Sequence, residues 1–371
     1  MGKMPANIQG QSVSPEQIHA FRMQRHHLLD QRISDPVRVC ADICGAQAQL
    51  MSAAEIALWA RARKLKREAI HSALWETRSL VKTLVMRQTL HLIPAADFPF
   101  VITAIRDSRV AAVLRVMARF GITESDVETL NTAVVDALAS GPKTKRQLTE
   151  QLQPTWNKKL RYWMEGASLG FRAAIVEGLV CYGPSQGNEV TFVRTDLWLP
   201  SYKKIPVADA QRLLFRRYLS AYGPASLQDF SRWSGLPMPQ VKLIREQLRD
   251  ELVELGPVKQ LLLKEDYREL KSIPPVNKSA CLLPGFDSYV LGHALKDHLI
   301  EPGYYKQVYR NQGWISPVIL VDGRIAGTWS HRISRGKLLV DLKPFAKLSG
   351  VARDRIEEQK AGLAKFLGCS A

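Results

Sequence analysis

Gly141-Pro142-Lys143-Thr144-Lys145-Arg146-Gln147-Leu148 and Gly223-Pro224-Ala225-Ser226-Leu227-Gln228-Asp229-Phe230 are two spellings of one local instruction. In each, a Gly-Pro turn precedes a hydroxyl residue, and an amide or carboxylate follows three positions later. That spacing is a capping box: the hydroxyl and the later side chain each satisfy a backbone N–H that the first helical turn leaves orphaned. Each copy follows an amphipathic stretch and leads into a short helix, a turn and another helix. Each then ends in a strand pair. One runs from Leu179 to Thr195 around Gly183-Pro184-Ser185-Gln186-Gly187-Asn188; the other runs from Leu252 to Leu263 around Gly256-Pro257. Helix, helix, helix and two-stranded wing is the winged-helix order.

Toward the N-terminus the pattern continues. Ser52-Ala53-Ala54-Glu55 predicts another capping box, with Met51 and Ile56 at the flanking staple positions. Ser14-Pro15-Glu16-Gln17 predicts a first helix running to about Arg32, with proline at the favoured first position. Lys64, Lys66, Arg67 and His71 mark a basic helix, and Leu80–Arg87 with Thr89–Ile93 its wing. Toward the C-terminus, Lys271-Ser272-Ile273-Pro274-Pro275 marks a boundary, and strands dominate from about Ala280. Trp314 to Val321 is β-rich, Asp322-Gly323 is a two-residue hairpin signal, and Lys337 to Leu342 supplies a further strand. A helix from about Val351 to Leu367 closes the chain. The expected fold class is α+β and mainly helical. Three tandem winged-helix units occupy 10–120, 121–200 and 201–275, and a β-rich C-terminal domain with a terminal helix occupies 276–371.

Composition sets the company this fold keeps. The 371 residues are 46% hydrophobic and 23% charged, enough for a large core without disulfide staples. Lys and Arg number 52 against 35 Asp and Glu, a net +17 that attracts polyanions. Five cysteines (Cys40, Cys44, Cys181, Cys281 and Cys369) are scattered, odd in number and without a CxxC pair, as in a reducing compartment. Cys40 and Cys44 with His26 and His27 match no usual zinc spacing, so core thiols are expected and no metal. No apolar stretch has the length or flanks of a signal peptide or a membrane span, so a cytoplasmic protein without a membrane partner is expected.

The chain has no Walker A, HExxH or dinucleotide fingerprint, and no cofactor is expected. Its unusual segment is Gly45-Ala46-Gln47-Ala48-Gln49-Leu50, just ahead of the Ser52 signal. Glutamines at i and i+2 share one side of an extended segment and diverge on a helix. A helix start at Ser52 implies an extended approach, and hence two converging amides. On spacing alone they read equally as a polar loop before a helix.

Cys44 to Leu50 together with Arg87-Gln88-Thr89-Leu90-His91-Leu92, Leu283-Pro284-Gly285-Phe286-Asp287-Ser288-Tyr289-Val290-Leu291-Gly292 and Gly313-Trp314 through Val321-Asp322-Gly323-Arg324 to Gly327-Thr328-Trp329 resemble the AlkZ/YcaQ family of winged-helix DNA glycosylases. The resemblance spans nearly the whole chain. It implies three winged-helix units plus a β-barrel-like C-terminal domain, excision of N7-alkylated purines from duplex DNA, and, for some members, unhooking of interstrand crosslinks. Family members carry Gln-aliphatic-Gln or Gln-aliphatic-Asp. By that match Gln47 and Gln49 are the catalytic pair, in a branch similar to self-resistance proteins associated with genotoxic natural products.

The same resemblance makes His91 a candidate contact near the lesion or backbone, against a satisfied histidine ending a wing strand. Arg87, read on the same strand, is a phosphate candidate. Lys64, Lys66 and Arg67 are candidates on the basic helix. Lys296, Lys306 and Arg310 alternate with Tyr304, Tyr305 and Tyr309, a pattern that suits either backbone neutralisation with stacking or a loop packing its tyrosines. His331, Arg332 and Arg335 follow the hairpin strand and are expected to face DNA. The expected partner is duplex DNA carrying alkylated purines, bound by a monomer. The alternatives on the residues alone are a winged-helix transcription regulator without catalysis, and an RNA-binding protein favoured only by charge.

Overall fold

The computed structural model describes residues 13–29, 33–156, 158–161, 171–201, 203–256 and 258–370. Within them one local arrangement occurs three times. A helix precedes a very short strand, a second helix follows it, and a hairpin returns so that its last strand pairs antiparallel with the short one. The short strand Ala46–Gln47 pairs with Leu90–Pro94, Lys143–Thr144 with Glu189–Arg194, and Ala225 bridges to Leu261 in Gln260–Leu263. The preceding helices are Pro36–Asp42, Glu124–Ala137 and Val207–Tyr222, and the following ones Met51–Trp59, Lys145–Leu152 and Leu227–Ser234.

Two capping boxes form as the spacing dictates. Thr144 accepts from the Gln147 N–H while Gln147 accepts from the Thr144 N–H, and Ser226 and Asp229 do the same. The Ser14–Gln17 box also forms, but its helix stops at Arg25, and the Arg32 end of that expectation lies outside the described residues. The Ser52 box does not form. That helix starts two residues early at Met51, uncapped by a side chain, because Glu55 is drawn inward. Its carboxylate is buried and holds the Arg67 guanidinium at 2.8 Å and His71 Nε2 at 2.8 Å. A buried carboxylate keeps the partner that neutralises it in preference to a solvent-side backbone N–H.

The hairpins differ from their sequence outline in ways that matter for the site. The first has strands Leu80–Leu84 and Leu90–Pro94, so Arg87 lies in the connecting turn and not on a strand. In the second, the strand Val180–Gln186 runs through Gly183 and Pro184 with a shifted register, and the turn is only Gly187-Asn188. These two hairpins lie side by side through Lys82 and Tyr182. They form one six-stranded sheet that also includes the short strands Ala46–Gln47 and Lys143–Thr144. Nothing in the local pattern of either hairpin announces this pairing. In the third hairpin, Pro257 lies outside the described residues.

A 21-residue helix, Phe98–Ala118, crosses from the first arrangement to the second and packs on Val207–Tyr222. One apolar core joins Met86 and Ile93 of the first hairpin to Phe98, Ile105, Phe215, Tyr218 and Trp233. Another joins Ala46, Ala48 and Leu58 to Leu282, Ile319, Trp329 and the closing helix Gly350–Phe366. The N- and C-terminal regions therefore share a core across the boundaries read from the sequence.

The C-terminal strands form an open four-stranded antiparallel sheet, not a closed barrel. Its order is Lys337–Pro344, Arg324–Ser334, Val318–Val321 and Ala280–Leu283. The short strand Val318–Val321 pairs only as far as Thr328, so the longer neighbour runs on with Lys337–Leu342 as a two-stranded ribbon. The turn Asp322-Gly323 forms as expected, both residues at positive φ (47° and 84°).

Candidate active site

The glutamine segment is extended, and its alternation sorts side chains by chemistry. Ala46 and Ala48 sit at zero exposure in the core, while Gln47 is 6% exposed and Gln49 is exposed. The Ala48 N–H donates to the Leu90 carbonyl at 2.7 Å, so strand pairing persists one residue past Gln47. Alternation puts Gln47 on the face away from the alanines, and Gln49 follows in a bend just before the Met51 helix. Entry to this strand is tight. Gly45 has φ of 96°, and a Cβ there would approach Ile93 Cγ2 to 2.9 Å. Its carbonyl accepts the Ser288 hydroxyl at 2.9 Å, which anchors the segment to the C-terminal region.

Gln47 pairs in register with His91, and Arg87 reaches back over both. Arg87 Nη2 donates to Gln47 Oε1 at 2.7 Å and to His91 Nε2 at 3.2 Å. The other imidazole nitrogen, Nδ1, lies 3.0 Å from the Thr89 carbonyl and donates to it. Burial, with the Arg87 charge beside it, pushes the His91 pKa down to about 3, so the ring is neutral. His91 is thus a satisfied, buried histidine with no face left for a phosphate. Arg87 likewise turns inward, because an amide oxygen and an imidazole nitrogen together offer its guanidinium two acceptors that the exposed side of the turn does not. Gln49 makes no side-chain hydrogen bond among the described residues.

The ground behind this face is cationic. Burial holds the Arg109 guanidinium down to about 9, with Arg172 and Arg87 adding to the effect. Arg172 donates to the carbonyl and the side-chain oxygen of Gln88 at 3.1 and 2.9 Å, holding the Arg87 turn from the second hairpin's side. Lys296 is also here, and its expected role is corrected. It is 8% exposed, donates to the carbonyls of Val290 (3.0 Å) and His293, and burial brings its ammonium down to about 7. A cation capped by main-chain carbonyls inside the protein cannot neutralise a phosphate outside it.

The remaining candidates divide. Tyr304 stacks on Phe345 with ring centroids 4.1 Å apart, and Tyr309 stacks on Tyr305 and donates to the Val290 carbonyl at 3.0 Å. That loop packs its tyrosines, leaving Lys306 and Arg310 exposed. Arg67 is committed to Glu55, whereas Lys64 and Lys66 are exposed. Lys64 lines a broad cleft with Arg63, Arg217 and Lys278. His331 and Arg332 lie exposed on the projecting ribbon, on opposite faces by strand alternation; His331 stacks on Trp329 at 5.3 Å. Arg335 and Gly336 turn its tip at φ of 51° and 75°.

Sequence reasoning missed the pair that fixes the frame around this site. Arg61 and Asp287 are both at zero side-chain exposure and form a bidentate ion pair at 2.8 and 2.7 Å. Arg61 also donates to the Ala57 carbonyl, and Asp287 caps Tyr289. The signal was an arginine one turn past an apolar helix and an aspartate inside Pro-Gly-Phe-Asp-Ser. Among the described residues no group of three His, Cys, Asp or Glu is arranged to hold a metal.

A helix-and-hairpin frame with a cationic interior and an exposed basic ribbon defines a protein that meets a polyanion. The chain belongs to the AlkZ-like DNA glycosylase family, whose match covers residues 40–366, and it is a DNA glycosylase, a hydrolase of N-glycosidic bonds. It is 30% identical to the interstrand DNA cross-link repair glycosylase of Streptomyces sahachiroi over 378 aligned residues, covering 95% of this chain and 96% of that protein. Its fold is similar to the solved structure of Streptomyces sahachiroi DNA glycosylase AlkZ, with a TM-score of 0.84 and 28% identity over 97% of this chain and 98% of that one. Membership in an enzyme family displaces the non-catalytic regulator.

Proposed function

We propose that this glycosylase releases purines made cationic by N7-alkylation from duplex DNA, that crosslinks joined through such purines are among its substrates, and that Gln47 and Gln49 are its catalytic pair. The observation that carries the reading is the Gln47-Ala48-Gln49 segment, with Ala46 and Ala48 in the core and the second amide exposed without a side-chain hydrogen bond among the described residues. The named role of the Streptomyces sahachiroi relative supports crosslinks as substrates.

The chemistry suits amides. Water attacks C1′, the C1′–N9 electron pair leaves with the purine, and the cation on the base is discharged. The leaving group therefore needs no proton, and the surplus proton of the attacking water passes to solvent. What remains is to place that water and to support a sugar with oxocarbenium character, both within reach of a neutral amide oxygen. An exposed Gln49 also favours an open groove over a closed base-flipping pocket, because a crosslinked base cannot be withdrawn from its partner strand.

The three recurring arrangements support three tandem winged-helix units at 10–120, 121–200 and 201–275, followed by the C-terminal domain at 276–371. We take the enzyme to act as a cytoplasmic monomer. Duplexes bearing N7-methylguanine, N7-linked crosslinks or uracil, scored for free base and abasic strand, test the assignment. Release from the first two, absent from uracil and lost in a Gln47→Ala, Gln49→Ala double variant that still binds DNA, is expected. Robust uracil excision refutes a mechanism that relies on a charged leaving group.

A further inference from the structure

We propose that Arg87 is a positioning residue that fixes the direction of the Gln47 amide, so that the two glutamines divide their work: Gln47 presents N–H donors and Gln49 presents the carbonyl that accepts from the attacking water. This rests on the assignment of Gln47 and Gln49 as the catalytic pair.

The polarity follows from donor counting. A guanidinium only donates, so the Gln47 atom 2.7 Å from Arg87 Nη2 is the carbonyl oxygen. The same rule makes His91 Nε2 an acceptor. That places the imidazole proton on Nδ1, where the Thr89 carbonyl receives it at 3.0 Å. The chain is self-consistent from end to end: Thr89 carbonyl, Nδ1–H of His91, Nε2, Arg87, Gln47 Oε1. With its oxygen engaged by a cation, Gln47 is a weakened acceptor and a strengthened donor. Exposed Gln49 has no such partner among the described residues, so its carbonyl is left as the acceptor of the pair.

The backbone shows that this placement is built and not incidental. Arg87 and Gln88 are consecutive residues at positive φ (53° and 58°), neither of them glycine. Arg87 Nη1 is buried with no partner among the described residues. Two left-handed side-chain-bearing residues and one unmet donor are unfavourable locally, and such features collect at functional sites. From the other side, Arg172 holds Gln88 by two hydrogen bonds, locking the turn that aims Arg87.

The test is single-turnover release of 7-methylguanine from a duplex by Arg87→Met, Gln47→Ala and the double variant, with duplex affinity measured alongside. Arg87→Met is expected to slow release by about 100-fold, the usual effect of a misplaced catalytic group, with affinity within about threefold. In the Gln47→Ala background, Arg87→Met is expected to slow it by less than about threefold, because Arg87 acts through Gln47. Multiplied losses overturn the proposal and make Arg87 a structural or independent residue.

A second pair needs no change at Arg87. Gln47→Glu keeps the Arg87 contact, and the guanidinium cancels its charge, but it removes the N–H donors; Gln49→Glu keeps an acceptor. Loss at 47 with activity within about tenfold at 49 is expected. The reverse order overturns the division of labour even if Arg87→Met does not fold. Wild-type protein that releases no alkylated base refutes the catalytic assignment itself. Wild-type release with multiplied losses, or with the reverse glutamate order, refutes only the role given to Arg87.

Discussion

Asp287→Ala should cost this protein about 3–5 kcal/mol of stability. Asp287 accepts two guanidinium hydrogen bonds from Arg61, at 2.8 and 2.7 Å, and one from the Tyr289 N–H at 2.9 Å. Both side chains are fully buried, and among the described residues no other carboxylate is paired with Arg61. Removing the aspartate strands a desolvated cation whose remaining hydrogen bond is to the Ala57 carbonyl. Uncompensated burial of that kind is what makes breaking a buried pair so much worse than never having one. The lost charge-assisted bonds, at about 1.5–3 kcal/mol each, less the relief from water entering the site, lead to the same range. At about 2–4 °C per kcal/mol for a chain of this size or somewhat smaller, the melting midpoint should fall by roughly 10 °C. Differential scanning fluorimetry and urea denaturation read this directly. The decisive companion is Arg61→Met with Asp287→Leu, which removes both charges and keeps volume; it should recover most of the loss. An Asp287→Ala protein within 2 °C of wild type, or a double variant as unstable as the single, refutes the electrostatic reasoning.

Three further outcomes are expected. His91 and His19 are held neutral by burial, with pKa values pushed down to about 3 and about 4, so the unfolded chain takes up protons that the folded one refuses. Stability is therefore flat above about pH 6.5 and falls as pH drops toward those folded values, by up to about 2 kcal/mol per histidine at pH 5; urea midpoints that do not change between pH 6.5 and 5 contradict this. Arg332→Ala with Arg335→Ala should reduce the slope of log affinity against log salt for duplex DNA by about two, whereas Lys296→Met should leave that slope unchanged. Glu55→Gln should destabilise by about 1–3 kcal/mol in thermal melts, since it leaves a buried neutral amide facing the half-exposed Arg67 and His71.

Much of this protein could be read residue by residue because the signals were local. The boxes at Thr144 and Ser226 operate within four residues, and the Asp322-Gly323 turn within two, so no distant partner could overrule them. The extended entry through Ala46 and Gln47 was legible for the same reason, whereas the chain bends at Gln49 before its helix. Where a charged or polar side chain had a choice of partners, tertiary structure chose. Glu55 left its capping role for Arg67 and His71, Lys296 went inward to main-chain carbonyls, and Arg87 turned from solvent to Gln47 and His91. The two hairpins became one sheet through the single register Lys82 with Tyr182, and the expected barrel stayed an open sheet with a free ribbon. By itself the sequence determined the boxes at Thr144 and Ser226, the Asp322-Gly323 turn and the broad run of helices and strands, because backbone sterics and capping act over a few residues; the ends of several elements followed from their tertiary partners. Only the fold decided which buried donors and acceptors meet, since that depends on desolvation and on neighbours as far apart in the chain as Arg61 and Asp287.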